Sequence, residues 1–164
     1  MRFWRISRFA SGAQAFDGEG ARRYPGRWNL AGVPVVYASS SLSLAALELL
    51  VHLDIRHGRL PLHSFTIDVP PRLVATPARA SLPSNWNDLL HPAAAQAFGT
   101  AWALSLRSVA LRVPFVVVPT ERNVILNPAH PAFSRLEIAG PRPFAFDPRL
   151  PGPGAPARRK RRTR

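Results

Sequence analysis

Val33-Pro34-Val35-Val36-Tyr37-Ala38 runs directly into Ser39-Ser40-Ser41 and then Leu42-Ser43-Leu44-Ala45-Ala46-Leu47-Glu48-Leu49-Leu50-Val51. Residues 33–38 are short, apolar and rich in β-branched side chains, the composition of a buried strand. Any of the three serines can cap a helix start, because a side-chain oxygen there accepts an otherwise unpaired backbone N–H. Good helix formers follow, with Leu44, Leu47 and Val51 at i, i+3 and i+7. A helix over 42–54 is expected, that stripe turned to the core; Arg56-His57-Gly58 ends it.

Residues 3–6 read as a strand opening the domain, and 11–29, polar, basic and glycine-bearing, as loop. Further on, 62–69 alternates as a strand does, 70–88 is irregular, and 92–106 is alanine-rich and helical, with Pro92 near its first turn. Residues 109–113 and 115–118 are strand material broken by Pro114, a position that suits an edge or a bulge. A short strand at 124–126, a proline loop at 127–131 and a strand at 135–138 close the sheet. Strands and helices mix without a regular βαβ rhythm, so the fold class is α+β. The apolar pattern fades from Pro141. One domain over 1–140 is expected, followed by a proline/glycine linker and disordered basic tail over 141–164.

The 164 residues suffice for one domain, and 18 prolines favour short elements over long helices. Cysteine is absent, which excludes disulfides, cysteine-ligated zinc and a catalytic thiol, and suits the cytoplasm. No secretory leader is read at the start, and the longest apolar runs are too short to cross a bilayer, so no membrane association is expected. Net charge is +13; six of the 22 basic residues lie in 158–164, leaving +7 on residues 1–157. A positive body concentrates anions, whether nucleic acid, phosphorylated small molecules or an acidic partner. Gly18-Glu19-Gly20-Ala21-Arg22-Arg23 lacks a third glycine and follows no strand, so it implies no dinucleotide-binding fold. Histidines at 52, 57, 63, 91 and 130 show no metal-ligand spacing, and no metal is expected.

Glu48 stands out: it lies one turn from Leu44, at the edge of the apolar stripe of the most apolar helix. Burying a carboxylate is costly unless it is paired or used. It is either a working carboxylate or a flanking glutamate that bonds to His52 at i+4 or simply reaches solvent. Arg27, in Pro25-Gly26-Arg27-Trp28-Asn29, is either a phosphate-binding guanidinium or a surface residue packed on Trp28. Tyr37 either stacks on a ligand ring or sits in the core with its hydroxyl satisfied. Ser39 to Ser41 read most simply as caps and turn residues.

Gly26-Arg27-Trp28-Asn29, Gly32 to Ser39, Ser41 to Glu48, Leu111-Arg112-Val113-Pro114 and Asn123 to Pro131, in that order and spacing, resemble the RES domain over residues 3–138. The resemblance implies an ADP-ribosyltransferase-like fold that cleaves NAD, as the toxin of a bacterial toxin–antitoxin pair. Arg27 would hold the pyrophosphate, Tyr37 would pack on the nicotinamide or its ribose, and Glu48 would be the catalytic carboxylate. Trp28 and Ser39 join Arg27 and Tyr37 in the implied NAD-binding set, with NAD as substrate and no further cofactor. The implied partner is an Xre-type helix-turn-helix antitoxin, through which the chain meets operator DNA only indirectly.

One departure stands out. The family's serine follows the Val-Pro pair, where this chain has Phe115; the hydroxyls nearest downstream are Thr120 and Ser134. A RES-like binding protein without turnover is therefore an alternative. A small basic nucleic-acid-binding protein is another, but the terminal Arg/Lys cluster has no helix-turn-helix or aromatic platform beside it.

Overall fold

The computed structural model describes residues 1–52, 61–147 and 150. A seven-stranded sheet carries the chain: β1 (Arg2–Ser7), β2 (Val36–Ser39), β3 (Leu62–Asp68), β4 (Val74–Ala75), β5 (Ala110–Pro114), β6 (Arg122–Leu126) and β7 (Glu137–Phe144). Their order is β4-β5-β6-β2-β1-β3-β7, antiparallel except where β4 meets β5. Among the described residues four α-helices accompany them: α1 (Gly12–Ala15), α2 (Glu19–Arg23), α3 (Leu42–His52) and α4 (Ala93–Ser105). Strands and helices are mixed, as expected. The single parallel pair is joined through α4, the length of crossover that parallel neighbours require.

The sheet buries both faces. Along β6, Val124 and Leu126 join a core with Phe3, Phe16, Val36, Ala38, Phe65 and Ile67. Ile125 joins a second core with Trp28, Trp86, Ala95, Leu111 and Val113. Because side chains alternate along a strand, the two cores lie on opposite faces.

The serine turn caps α3 as anticipated: the Leu44 backbone N–H donates to Ser41 Oγ at 3.1 Å. The stripe is narrower than the spacing suggests. Leu44 and Ala45 are buried, but Val51 is 51% exposed. Residues 53–60, with the expected helix end, lie outside the described residues.

Other boundaries shift for identifiable reasons. Residues 11–29 hold two helices of four and five residues, too short to show a periodicity. β2 starts only at Val36. Residues 115–118 form no strand: the Phe115 N–H donates to the Glu121 carbonyl at 3.1 Å and the Glu121 N–H to Val118, so the chain turns back at once into β6. Pro114 sits at an edge, since β4 pairs only with Ala110 and Leu111. β7 runs through the expected boundary at 140 to Phe144, its Pro141 and Pro143 tolerated on the outer strand of the sheet. Of the tail, 151–164 lie outside the described residues. No helix among the described residues is long and apolar enough to cross a membrane.

Candidate active site

Tyr37 and Ser39 on β2 alternate onto the face of the sheet that carries Asn123 and Ile125 on β6. Over that face opens a cleft of about 990 Å³, lined among others by Arg27, Trp28, Tyr37, Ser39, Glu48 and Asn123. Every residue singled out in the sequence as a site candidate lies on its wall. Arg27 and Glu48, 21 positions apart and on different elements, face a common cavity.

The loop bearing Arg27 is pinned from within and from α4. Asn29 is fully buried and acts as its hub: Oδ1 accepts from the Tyr37 hydroxyl at 2.9 Å and the Gly26 N–H at 3.0 Å, while Nδ2 donates to the carbonyls of Ala21, Leu30 and Val33. Gln96 of α4 donates to the Gly26 carbonyl at 2.9 Å, and Thr100 Oγ1 accepts from the Leu30 N–H at 2.9 Å. Trp28 does not carry Arg27 on its face. It is buried, stacked on Trp86 at 6.4 Å and edge-on to Phe98. Arg27 instead donates from Nη1 to the carbonyls of Trp86 at 3.0 Å and Asp88 at 2.6 Å. No hydrogen bond to another of the described residues engages its Nη2 and Nε, a fork suited to phosphate oxygens.

Tyr37 has the satisfied hydroxyl of the core reading, and it also lines the cleft. Its ring lines the cleft, while its hydroxyl accepts from the Trp28 N–H at 2.9 Å and donates to Asn29. Burial, helped by the charge of Glu48, pushes its phenol well above the ordinary range, against the lowering effects of the Trp28 N–H and Arg27. The hydroxyl therefore stays a proton donor, and the ring is held still.

Glu48 is half-buried, and Asn123 Nδ2 donates to its Oε2 at 2.8 Å. Ser39, only 2% exposed, donates from Oγ to Asn123 Oδ1 at 2.9 Å. Ser39 thus directs its hydroxyl proton not at a helix end but at the amide that holds Glu48. The side chain of His52, the alternative partner for Glu48, lies outside the described residues.

Asn123 and Arg5 line the cleft but were not named as site candidates in the sequence. Asn123 entered only as the first residue of the run 123–131 and was given no role. Arg5 on β1 looked like a strand residue, yet it lines the cleft and donates to the carbonyls of Ala15 and Tyr37, both at 2.6 Å. Burial pushes its guanidinium down to about 10, opposed by the charge of Asp17, so it remains a cation at neutral pH. Phe115 is 3% exposed and gives the cleft an apolar wall beside Asn123, whereas Thr120 and Ser134 are exposed and do not line it. Among the described residues, no three His, Asp or Glu side chains are grouped to hold a metal.

The site therefore combines two guanidinium groups, a fixed tyrosine ring and an oriented carboxylate, a set that can hold a phosphorylated ligand and stabilise positive charge near one point. Comparison with known proteins is consistent in kind. The model of the RES domain matches residues 2–147. The chain is 41% identical to the Prs ADP-ribosylating toxin of Sphingobium sp. (strain YBL2), with 90% of this chain and 95% of the relative covered. It is 38% identical to the Toxin Res of Yersinia enterocolitica, with 92% and 99% covered. Among solved structures, a chain of the M. tuberculosis MbcT–MbcA toxin–antitoxin complex superposes with a TM-score of 0.67 at 20% identity, covering 87% of this chain and 83% of that one. The α+β, ADP-ribosyltransferase-like class expected from the sequence is thus the class of the fold.

Proposed function

This chain belongs to the RES domain family, and from that premise we propose that it is the toxin of a toxin–antitoxin pair and degrades NAD by breaking the nicotinamide–ribose bond. The observation that carries this reading is the meeting of Arg27, Tyr37 and Glu48 on one cleft wall.

In this mechanism Arg27 takes the pyrophosphate with its Nη2 and Nε donors, and the Tyr37 ring packs on the nicotinamide or its ribose. The bond from the anomeric carbon to the nicotinamide nitrogen breaks with its electron pair leaving on the ring. Nicotinamide departs neutral, so no strong general acid is needed. The sugar passes through an oxocarbenium-like transition state, much as in glycoside cleavage. A carboxylate fixed beside it stabilises that charge and accepts a hydrogen bond from a ribose hydroxyl. The acceptor oxygen, from water, phosphate or a protein side chain, then bonds to the anomeric carbon and gives up its proton.

The partner in this reading is an Xre-type antitoxin that covers the cleft in the cytoplasm and carries the contact with operator DNA. Support comes from the names of the relatives, which are toxins, and from the complex in which the solved neighbour occurs. The test is to express the chain and follow cellular NAD. NAD falls with the parent and not with Glu48→Ala; equal levels in both contradict the proposal.

Phe115 favours one second reading, a binding protein without turnover, because it puts a buried phenyl ring on the cleft wall. Phe115→Ser separates the two: NAD loss that appears only in that variant assigns the natural chain to the second reading.

A further inference from the structure

We infer that Asn123 is a positioning residue of this site, its side-chain amide clamped by Ser39 so that the Glu48 carboxylate is held toward the reacting sugar; the inference rests on the reading of Glu48 as the catalytic carboxylate.

The argument begins with strand register. Ser39 and Asn123 are direct partners on β2 and β6, and Val113 of β5 pairs with Asn123 from the other side. Asn123 therefore sits on an interior strand, fixed by neighbours on both edges, and is buried. Glu48 comes from α3, a separate element, and the amide is a bond between helix and sheet across 75 positions of sequence.

The three groups fit in one polarity when Glu48 is ionised. A carboxylate only accepts, so Nδ2 must face it. Oδ1 then faces Ser39, whose hydroxyl must donate, and the 2.9 Å contact runs in that sense. Turning the amide over would set its oxygen against the carboxylate. The chain Ser39–Asn123–Glu48 thus fixes the direction of the carboxylate, and a misplacement of about 1 Å at a reacting group costs on the order of a hundredfold in rate. The other titratable groups lining the cleft are Arg5 of β1, Asp17 between α1 and α2, Tyr24 and Arg27 of the following loop, and Tyr37 of β2.

The test uses the full chain, with NAD turnover and NAD affinity measured separately. Asn123→Ala is expected to lower kcat on the order of a hundredfold while leaving the NAD dissociation constant within about twofold. Added to Glu48→Gln, it lowers kcat no further, because the carboxylate it positions is gone. Equal losses in affinity and kcat, or a full further loss in the Glu48→Gln background, overturn the inference. Asn123→Asp keeps the shape and covers the case in which Asn123→Ala does not fold. Its two facing carboxylates repel at neutral pH and share a proton as pH falls. Activity relative to the parent is therefore expected to recover toward acid, and a flat ratio across pH overturns the inference.

A readout without substrate distinguishes failure of the proposed reaction from failure of this arrangement. The two Asn123 side-chain amide protons, assigned by their absence in Asn123→Asp, are expected to be slow to exchange with solvent in the parent. They are expected to exchange faster in Ser39→Ala and in Glu48→Ala. A parent that binds no NAD removes the proposed reaction. An amide signal indifferent to both substitutions removes the positioning role, whatever the protein does to NAD.

Discussion

Gly99 lies inside α4, where an alanine would ordinarily gain about 1 kcal/mol of helix propensity. Here the methyl has nowhere to go. A Cβ built on Gly99 meets the Trp28 carbonyl oxygen at 2.0 Å, its carbonyl carbon at 2.8 Å and its Cβ at 3.0 Å. Carbon–oxygen contacts sit near 3.3 Å or beyond, so helix and loop must part by more than about 1 Å. The loop cannot yield without loss, because Gln96 and Thr100 tie Gly26 and Leu30 to the same helix and Trp28 is stacked on Trp86. Forcing bulk into such a contact costs about 1–3 kcal/mol, and a backbone atom on one side places Gly99→Ala at the upper end. Net of propensity, the variant is expected to lose about 2 kcal/mol. Since Arg27 is the residue before Trp28, NAD affinity is expected to fall about tenfold, the effect of losing one charge-assisted hydrogen bond. Urea denaturation and calorimetric titration with NAD measure the two effects. Gly20→Ala in α2, whose Cβ would meet nothing within 4 Å, supplies the contrast: it gains up to about 1 kcal/mol. If Gly99→Ala matched or exceeded the parent in stability, the packing of the Arg27 loop on α4 described above would be wrong.

Arg27→Lys keeps the charge and loses the fork, so one ammonium must choose between the Trp86 and Asp88 carbonyls and the ligand; NAD affinity is expected to drop about tenfold or more, and an unchanged affinity contradicts the assigned role. The turn holding those carbonyls is acid-sensitive. Hydrogen bonds from the Leu90 and His91 N–H groups, then the His91 ring, hold the Asp88 carboxyl below its usual range. A carboxyl with a depressed folded-state value contributes its stability above the ordinary Asp value and loses it as pH falls through the depressed one. NAD affinity in the parent should therefore weaken below the ordinary Asp range, whereas Asp88→Ala, already lacking the acceptor, should show a shallower acid dependence; parallel curves would refute this.

The central strand–serine–helix unit was legible because local rules decide it: β-branched residues, a capping hydroxyl and good helix formers agree over 33–51. Glu48 was legible as a carboxylate in the wrong company. What closes the site around it was not. Asn123 meets Glu48 and Ser39 across 75 and 84 positions, and Arg5 meets Tyr37 across 32, distances over which no periodicity carries information. Val51 was misread because the stripe of α3 ends where the cleft opens, so that an apolar residue in register faces the cleft mouth. Residues 115–118 have strand composition, but Pro114 and the turn to Glu121 end the ladder, and Phe115 packs into the cleft wall instead. The prolines that suggested a boundary after 140 only mark an outer strand.

The most direct measurement is nicotinamide released from NAD by the purified protein, with Glu48→Gln alongside. Release by the parent, abolished in Glu48→Gln while NAD still binds to both, is the result expected. A parent that binds NAD in the cleft and releases no nicotinamide, or a Glu48→Gln variant as fast as the parent, would contradict the account.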